Sequence, residues 1–266
     1  MTGAWLQEYA TVVSHTGQGE IYELVLRAPQ IARMAVPGQF VEVRVTPAVA
    51  GVVSVDPLLR RPLSLARIRP DEGTITLIYR TVGRGTRLLA GVLPGMQVDL
   101  LGPLGRSFPE PTDGLCLVGG GLGIPPMVAA AEWAVAQGRQ CTALIGARSE
   151  ALLAGREALL ATGVPVTVVT DDGSAGAKGL VTDPLSALLA AGQVSQIWAC
   201  GPEPMLAAVK NLATAAGVPC YLSLERYMAC GFGACIGCTV PKAGQPGYYR
   251  VCKDGPVFSA EEVELR

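Results

Sequence analysis

Short apolar segments dominate the chain up to about residue 101, and turn-forming residues separate them. Val, Ile, Leu, Phe and Tyr are enriched in four segments that predict strands at residues 21–26, 40–45, 74–79 and 97–101. Pro-Gly and Asp-Glu-Gly sequences between them mark tight turns. Short strands at this spacing, with few stretches of helical periodicity, predict an antiparallel β-barrel.

The pattern changes after residues 102–114, whose prolines and glycines predict a linker. Apolar runs then alternate with Ala- and Leu-rich stretches that suit helices. The predicted strands are residues 115–118, 141–145, 166–169, 197–199 and 220–224, and the predicted helices are residues 124–136, 150–161, 185–191 and 205–215. This alternation is typical of a parallel sheet with crossover helices.

We therefore expect a multidomain β plus α/β protein. The predicted parts are a barrel in residues 1–106, a parallel-sheet α/β domain in residues 107–222, and a small module in residues 223–266. The module is rich in cysteine and glycine and has neither the strand pattern nor the helix pattern.

Composition narrows the classes of function. Half of the residues are hydrophobic, and 21 basic residues nearly balance 22 acidic ones, which excludes a disordered chain. The basic residues are dispersed and form no patch for nucleic acid. The longest charge-free apolar run, residues 114–131, contains glycines and prolines that favour a turn over a membrane-spanning helix. No basic segment followed by an apolar one opens the sequence, so we expect a cytoplasmic protein that binds neither nucleic acid nor membrane.

Four of the eight cysteines lie close together near the C-terminus. Cys230, Cys235 and Cys238 form a C-x4-C-x2-C pattern, and Cys252 follows after 13 residues. This is the plant-type ferredoxin spacing for a 2Fe–2S cluster. Small residues between the thiols let backbone N–H groups turn towards sulfur. The alternative is a structural zinc site, although such sites usually carry two C-x2-C pairs and Cys252 stands alone.

Two segments of the predicted barrel have residues that can bind an anion. Residues 60–64 (Arg-Arg-Pro-Leu-Ser) place a guanidinium with a fixed direction at a strand start, which suits a pyrophosphate. Residues 83–86 (Gly-Arg-Gly-Thr) enter a short predicted helix whose backbone N–H groups can bind an anion. A solvent-exposed arginine pair explains the first segment equally well. Together the two segments favour a dinucleotide, and FAD rather than FMN.

Three turns follow predicted strands of the α/β part. They are residues 119–126 (Gly-Gly-Gly-Leu-Gly-Ile-Pro-Pro), 170–173 and 200–205. Ligands of open α/β sheets bind outside the carboxyl ends of the strands, so we expect these turns to line one crevice for NAD. The predicted contacts are Gly120, Gly121, Gly123, Pro126, Asp171, Cys200, Gly201 and Pro202. Arg148, after another predicted strand, leaves NADP open as an alternative.

This combination resembles the ferredoxin–NADP reductase superfamily. More narrowly, three segments resemble the electron-transfer subunits of NAD-dependent dihydroorotate dehydrogenase B, and the resemblance covers essentially the whole chain. The segments are residues 223–225 (Ser-Leu-Glu), 228–235 (Met-Ala-Cys-Gly-Phe-Gly-Ala-Cys) and 251–258 (Val-Cys-Lys-Asp-Gly-Pro-Val-Phe).

The resemblance implies cofactors, a partner and an electron path. It implies 2Fe–2S ligation by the four cysteines, and FAD contacts at Arg61, Pro62, Leu63, Ser64, Ile78, Tyr79, Arg80, Gly85 and Thr86. It also implies an FMN-containing catalytic partner that oxidises dihydroorotate in pyrimidine (UMP) biosynthesis, assembled as a heterotetramer. Electrons would pass from that FMN through the cluster and FAD to NAD⁺. No Ser–His, Cys–His or paired-carboxylate arrangement is predicted, so we expect an oxidoreductase subunit without a catalytic residue, whose chemistry belongs to the cofactors.

Two alternatives remain. A reductase subunit of a hydrogenase or of a ferredoxin:NAD(P) complex would share the same motifs. A non-catalytic module with a zinc-bound tail and a degenerate nucleotide pocket would lack flavin and iron–sulfur absorbance.

Overall fold

The predicted barrel is present and closed. The computed structural model describes residues 5–45 and 56–265. The barrel strands are β1 (Leu6–Gln18), β2 (Ile21–Arg27), β3 (Phe40–Val43), β4 (Arg61–Arg69), β5 (Thr74–Arg80) and β6 (Gln97–Leu104). All neighbours pair antiparallel in the order β1-β2-β5-β4-β3-β6. Two short helices accompany them, α1 (Pro29–Met34) and α2 (Arg84–Leu89).

Strand β3 shows how alternation divides the side chains between the barrel core and its outer wall. Val41 and Val43 fill the barrel core, and successive side chains of a strand point to opposite faces. Phe40 and Glu42 therefore face outwards, yet they are only 3% and 0% exposed. They are buried because the C-terminal part of the chain covers this wall, where Phe40 packs in one apolar cluster with Cys238.

The parallel sheet with crossover helices is also confirmed. Its strands are β7 (Leu115–Gly120), β8 (Cys141–Ala147), β9 (Val166–Thr170), β10 (Ala177–Lys178), β11 (Gln196–Cys200) and β12 (Cys220–Ser223), and its helices are α3 (Ile124–Ala136), α4 (Arg156–Leu160), α5 (Thr182–Ala190) and α6 (Glu203–Ala216). The strand order is β10-β9-β8-β7-β11-β12. No helix in residues 5–45 and 56–265 has the length and hydropathy needed to cross a membrane.

The predicted helix at residues 150–161 is interrupted. A 3₁₀ turn covers Glu150–Leu152 and α4 begins only at Arg156. Gly155 between them has φ of +79°, in the left-handed region that favours glycine. A Cβ at Gly155 would lie 3.2 Å from Cδ1 of Ile78, so the break lets the chain pass close to the barrel.

The C-terminal segment contacts both the barrel and the sheet. It contains β13 (Thr239–Pro241), β14 (Tyr248–Arg250), α7 (Val251–Asp254) and β15 (Val257–Ser259). Strand β15 adds to the sheet as its seventh strand, antiparallel to β12. Arg106, just after β6, forms a β-bridge with Pro256. The domain boundaries at residues 106 and 222 stay predictions.

A charged clamp joins the barrel to helix α3. Both carboxylate oxygens of Glu132 accept hydrogen bonds of 2.7 Å from the guanidinium of Arg69. Arg67 approaches the same carboxylate at 3.3 Å. Since β4 starts at Arg61 and α3 follows the glycine turn, the clamp fixes two predicted binding segments relative to each other.

Candidate functional site

The four C-terminal cysteines lie in two pairs. The thiols of Cys230 and Cys235 contact each other, as do those of Cys238 and Cys252. Cys238 and Cys252 are buried against the barrel wall, Cys230 is half-buried and Cys235 is exposed. Two pairs suit a binuclear cluster, in which each iron takes two thiolates, better than one tetrahedral ion.

Backbone N–H groups turn towards these sulfur atoms, as the small residues of the loop predict. Sγ of Cys230 accepts hydrogen bonds from the N–H groups of Ala234 and Cys235, at 3.3 and 3.4 Å. Sγ of Cys238 accepts one from the N–H of Cys252 at 3.4 Å. Gly231 and Gly233 adopt φ of +77° and +90°, which only glycine adopts at little cost.

These contacts favour the thiolate form, which binds iron, at Cys230 and Cys238, whereas the hydrogen bond that Cys252 donates to Cys238 raises the pKa of Cys252. The hydrogen bond from the Cys252 thiol lowers the pKa of Cys238 to about 6. Burial works against ionisation of Cys230, but hydrogen bonds from backbone N–H groups outweigh it and lower its pKa to about 7. The donor set therefore fits a 2Fe–2S cluster.

A buried carboxyl group lies against the cysteine loop. Glu42 of β3 is fully buried, and neither carboxylate oxygen has a hydrogen-bond partner among the described residues. A Cβ at Gly231 would lie 2.7 Å from Oε1 of Glu42. Burial raises the pKa of Glu42 to about 7. Sequence reasoning missed this residue, because the strand pattern gives no sign that the C-terminal segment covers it.

The predicted FAD residues come together beside β4 and β5. A cavity of about 510 Å³ is lined by Arg61, Pro62, Leu63, Ser64, Ile78, Tyr79, Arg80 and Thr86. Gly85 lies behind Arg61, since a Cβ there would be 2.6 Å from Nε of that guanidinium. Residues 223–228, which lead directly to Cys230, form the opposite wall. The cavity therefore lies between the barrel and the segment that leads to the cysteine loop.

Two of these residues use their side chains within the barrel. Oγ1 of Thr86 accepts hydrogen bonds from the N–H groups of Val82 and Gly83 and holds the turn before α2. The Tyr79 hydroxyl donates to Nε2 of His15 at 3.0 Å if His15 is protonated at Nδ1, where it contacts the carbonyl of Val92. Burial raises the pKa of Tyr79, so this hydroxyl keeps its proton. These side chains shape the cavity wall, whose charged lining residues are Arg61, Arg80, Glu225 and Arg226.

The predicted NAD residues surround a second cavity of about 640 Å³ at the carboxyl ends of the sheet strands. Its lining includes Gly120, Gly121, Gly123, Asp171, Gly201 and Pro202. Gly121 has φ of +54°, and a Cβ there would meet no atom within 4 Å, so its backbone faces open space. Cys200 and Pro126 are buried outside the lining. A Cβ at Gly123 would collide with the carbonyl group of Cys200, which shows how tightly the two turns pack.

The two cavities adjoin. Arg80, Leu122 and Glu225 line both of them. Glu225 is a second residue that sequence reasoning did not assign to a site, although it stands in the segment before the cysteines. Ligands in the two cavities would therefore meet at these three side chains.

Comparison with known proteins agrees with this arrangement. Residues 225–264 match the family described as the iron-sulfur cluster binding domain of dihydroorotate dehydrogenase B. Residues 117–211 match the oxidoreductase NAD-binding domain. A solved NADH-dependent reduced ferredoxin-NADP oxidoreductase superposes with a TM-score of 0.81 at 30% identity, covering 100% of this chain and 92% of that one. The Amycolatopsis cytochrome P450 reductase shares the fold, with a TM-score of 0.63 at 24% identity over 81% of this chain and 67% of that chain. The fold and site define an oxidoreductase of the ferredoxin–NADP reductase type.

Full-length relatives narrow this class. The electron transfer subunit of dihydroorotate dehydrogenase B (NAD(+)) from Geobacillus kaustophilus is 44% identical over 92% of this chain and 93% of its own length. That from Fusobacterium nucleatum is 37% identical over 92% of this chain and 93% of its own length. The chain belongs to the family of dihydroorotate dehydrogenase B electron transfer subunits.

We expect Cys238→Ala to abolish the cluster while FAD is retained, because the lost ligand lies outside both nucleotide cavities. The measurement is the paramagnetic resonance signal of dithionite-reduced protein, together with flavin absorbance. Cys141→Ala, which changes a half-buried cysteine of β8 outside the cysteine loop, is the control and should keep both signals. Loss of FAD along with the cluster would contradict this separation of the sites.

Proposed function

We propose that this chain carries electrons from the FMN of a dihydroorotate-oxidising catalytic subunit, through a 2Fe–2S cluster and FAD, to NAD⁺ in pyrimidine biosynthesis. The observation that carries the proposal is continuity. The cysteine loop, the cavity beside β4 and the cavity at the sheet edge follow one another, with Glu225 lining both cavities. We further propose that the chain works with the catalytic subunit in a heterotetramer; the relatives' description as subunits supports the existence of a partner.

FAD supplies the link between the carriers, since a flavin exchanges one electron with a cluster and a hydride with a nicotinamide. The protein's part is position. Arg61 presents a guanidinium at the flavin cavity, where it suits the pyrophosphate. The glycine turn after β7 lets a second pyrophosphate approach the backbone at the start of α3.

A separate observation favours a second candidate function. The NADH-dependent reduced ferredoxin-NADP oxidoreductase covers this whole chain at 30% identity, which supports a reductase subunit that receives electrons from ferredoxin. Both candidates use the same three sites and differ only in the electron donor.

The donor is tested by reconstitution. The chain, loaded with its cofactors, is mixed with the FMN-containing catalytic subunit from the same organism, and NADH formation is followed by its absorbance. We expect NADH to form on addition of dihydroorotate and not on addition of reduced ferredoxin. The reverse result would replace the first candidate with the second. A preparation without flavin or iron–sulfur absorbance would exclude both.

Replacing Arg61 with Ala should weaken FAD retention roughly tenfold to a hundredfold, because charge-assisted hydrogen bonds contribute about 1.5–3 kcal/mol. The dissociation constant is obtained by titrating the apoprotein with FAD and following flavin fluorescence. Arg139→Ala, which removes an exposed arginine paired with Asp113, is the matched control. Equal FAD affinity in both variants would remove Arg61 from the site.

Asp171 should favour NAD over NADP, since its carboxylate lines the second cavity beside Arg148 and would repel a 2′-phosphate. We expect Asp171→Asn to improve kcat/KM for NADPH relative to NADH by about tenfold, the effect of ~1.4 kcal/mol. Diaphorase activity with both cofactors measures this ratio. Asp172→Asn is the control, because the carboxylate of Asp172 binds the backbone and hydroxyl of Ser174. An unchanged ratio in Asp171→Asn would contradict the assignment.

A further inference from the structure

Glu42 occupies a position between two of the proposed redox sites. It lies on the outer face of β3, directly opposite Pro62 on β4. Pro62 belongs to residues 61–64, the flavin segment, which line the proposed FAD cavity. On its other side is the cysteine loop at Gly231. The side chain is 0% exposed. Glu42 therefore faces the cysteine loop from the strand that pairs with the flavin segment.

The carboxyl group is unusual because nothing in the described part of the chain hydrogen-bonds to it. Burying a polar group without partners is unfavourable. The two cations whose charges act on Glu42 have other partners: Arg60 binds the carboxylate of Asp99 at 2.7 Å, and Arg61 donates to the carbonyls of Leu59 and Arg60. Stability of the barrel alone does not explain a carboxyl group here.

The loop is built to accommodate this side chain. Gly231 is buried and has φ of +77°, and any larger residue would press its Cβ against Glu42. By contrast, the buried carboxylate of Glu8 on β1 binds the backbone N–H groups of Gln30 and Ile31 at 3.1 and 2.9 Å. Glu8 has a structural partner, whereas Glu42 faces the cysteine loop.

We propose that Glu42 is a positioning residue for electron transfer, which supports the cluster loop and in its ionised form holds a negative charge beside the cluster, so that the reduction potential of the cluster stays low. This inference rests on the proposed function. One-electron reduction adds negative charge to a cluster that is already anionic, and net charge and burial set its potential. A nearby carboxylate in a water-poor setting therefore disfavours reduction and favours onward transfer of the electron to FAD.

The test compares Glu42→Gln with the wild-type full chain loaded with cluster and FAD. A redox titration at pH 9, followed by paramagnetic resonance for the cluster and absorbance for FAD, gives both potentials. We expect the cluster potential of Glu42→Gln to become more positive, with a smaller change for FAD and with iron content unchanged. Glu8→Gln is the control: it should lower thermal stability and leave the cluster potential at the wild-type value.

An unchanged cluster potential in Glu42→Gln with full iron content would overturn the proposal, as would an equal shift in Glu8→Gln. Should Glu42→Gln fail to retain the cluster, Glu42→Asp and Glu42→Asn repeat the comparison with a shorter side chain. The Asn variant should then have the more positive potential, and equal potentials would overturn the proposal. A wild-type protein without any cluster signal would instead refute the proposed function.

Discussion

The packing of the C-terminal segment against the barrel wall is the constraint on which the site depends. Phe40 on that wall shares one apolar cluster with Cys252 and Phe258, while β15 extends the sheet beside β12. The segment is thus attached to the barrel and to the sheet at once. Without this packing the flavin cavity would lose the wall formed by residues 223–228, and the cysteine loop would have no fixed distance from it.

The two arginines at the start of β4 have different partners. Arg60 and Arg61 are neighbours in sequence, but Asp99 neutralises Arg60 through a contact of 2.7 Å. Among the described residues Arg61 binds only backbone carbonyls, so its charge remains for a ligand. The segment therefore contains one arginine that Asp99 holds and one that is available for the proposed FAD contact. Sequence alone does not distinguish them, because the difference lies in the fold that brings Asp99 of β6 beside this turn.

The sequence predicted best those features that depend on contiguous residues. Helix α3 spans the predicted residues 124–136, since glycines precede it and its prolines lie in the first turn, where a missing N–H costs little. The cysteine spacing, the glycine turns and the Arg-Pro-Leu-Ser segment are likewise contiguous patterns. The FAD and NAD assignments of individual residues stay predictions.

Elements set by distant contacts were missed. Helix α1 was not predicted, because the carboxylate of Glu8, more than twenty residues away, accepts its first N–H groups. The break at Gly155 depends on the approach of Ile78 from the barrel. The burial of Glu42 also depends on a distant contact: its strand was predicted, but the loop that covers it follows almost two hundred residues later.

Strand β4 connects these distant parts, since its start pairs with the strand of Glu42 and its end holds Glu132 of α3. Strand β4 has the flavin segment near one end and the α3 clamp at the other, and it therefore fixes the three proposed sites relative to one another. A shift in position at one site would be transmitted to the others.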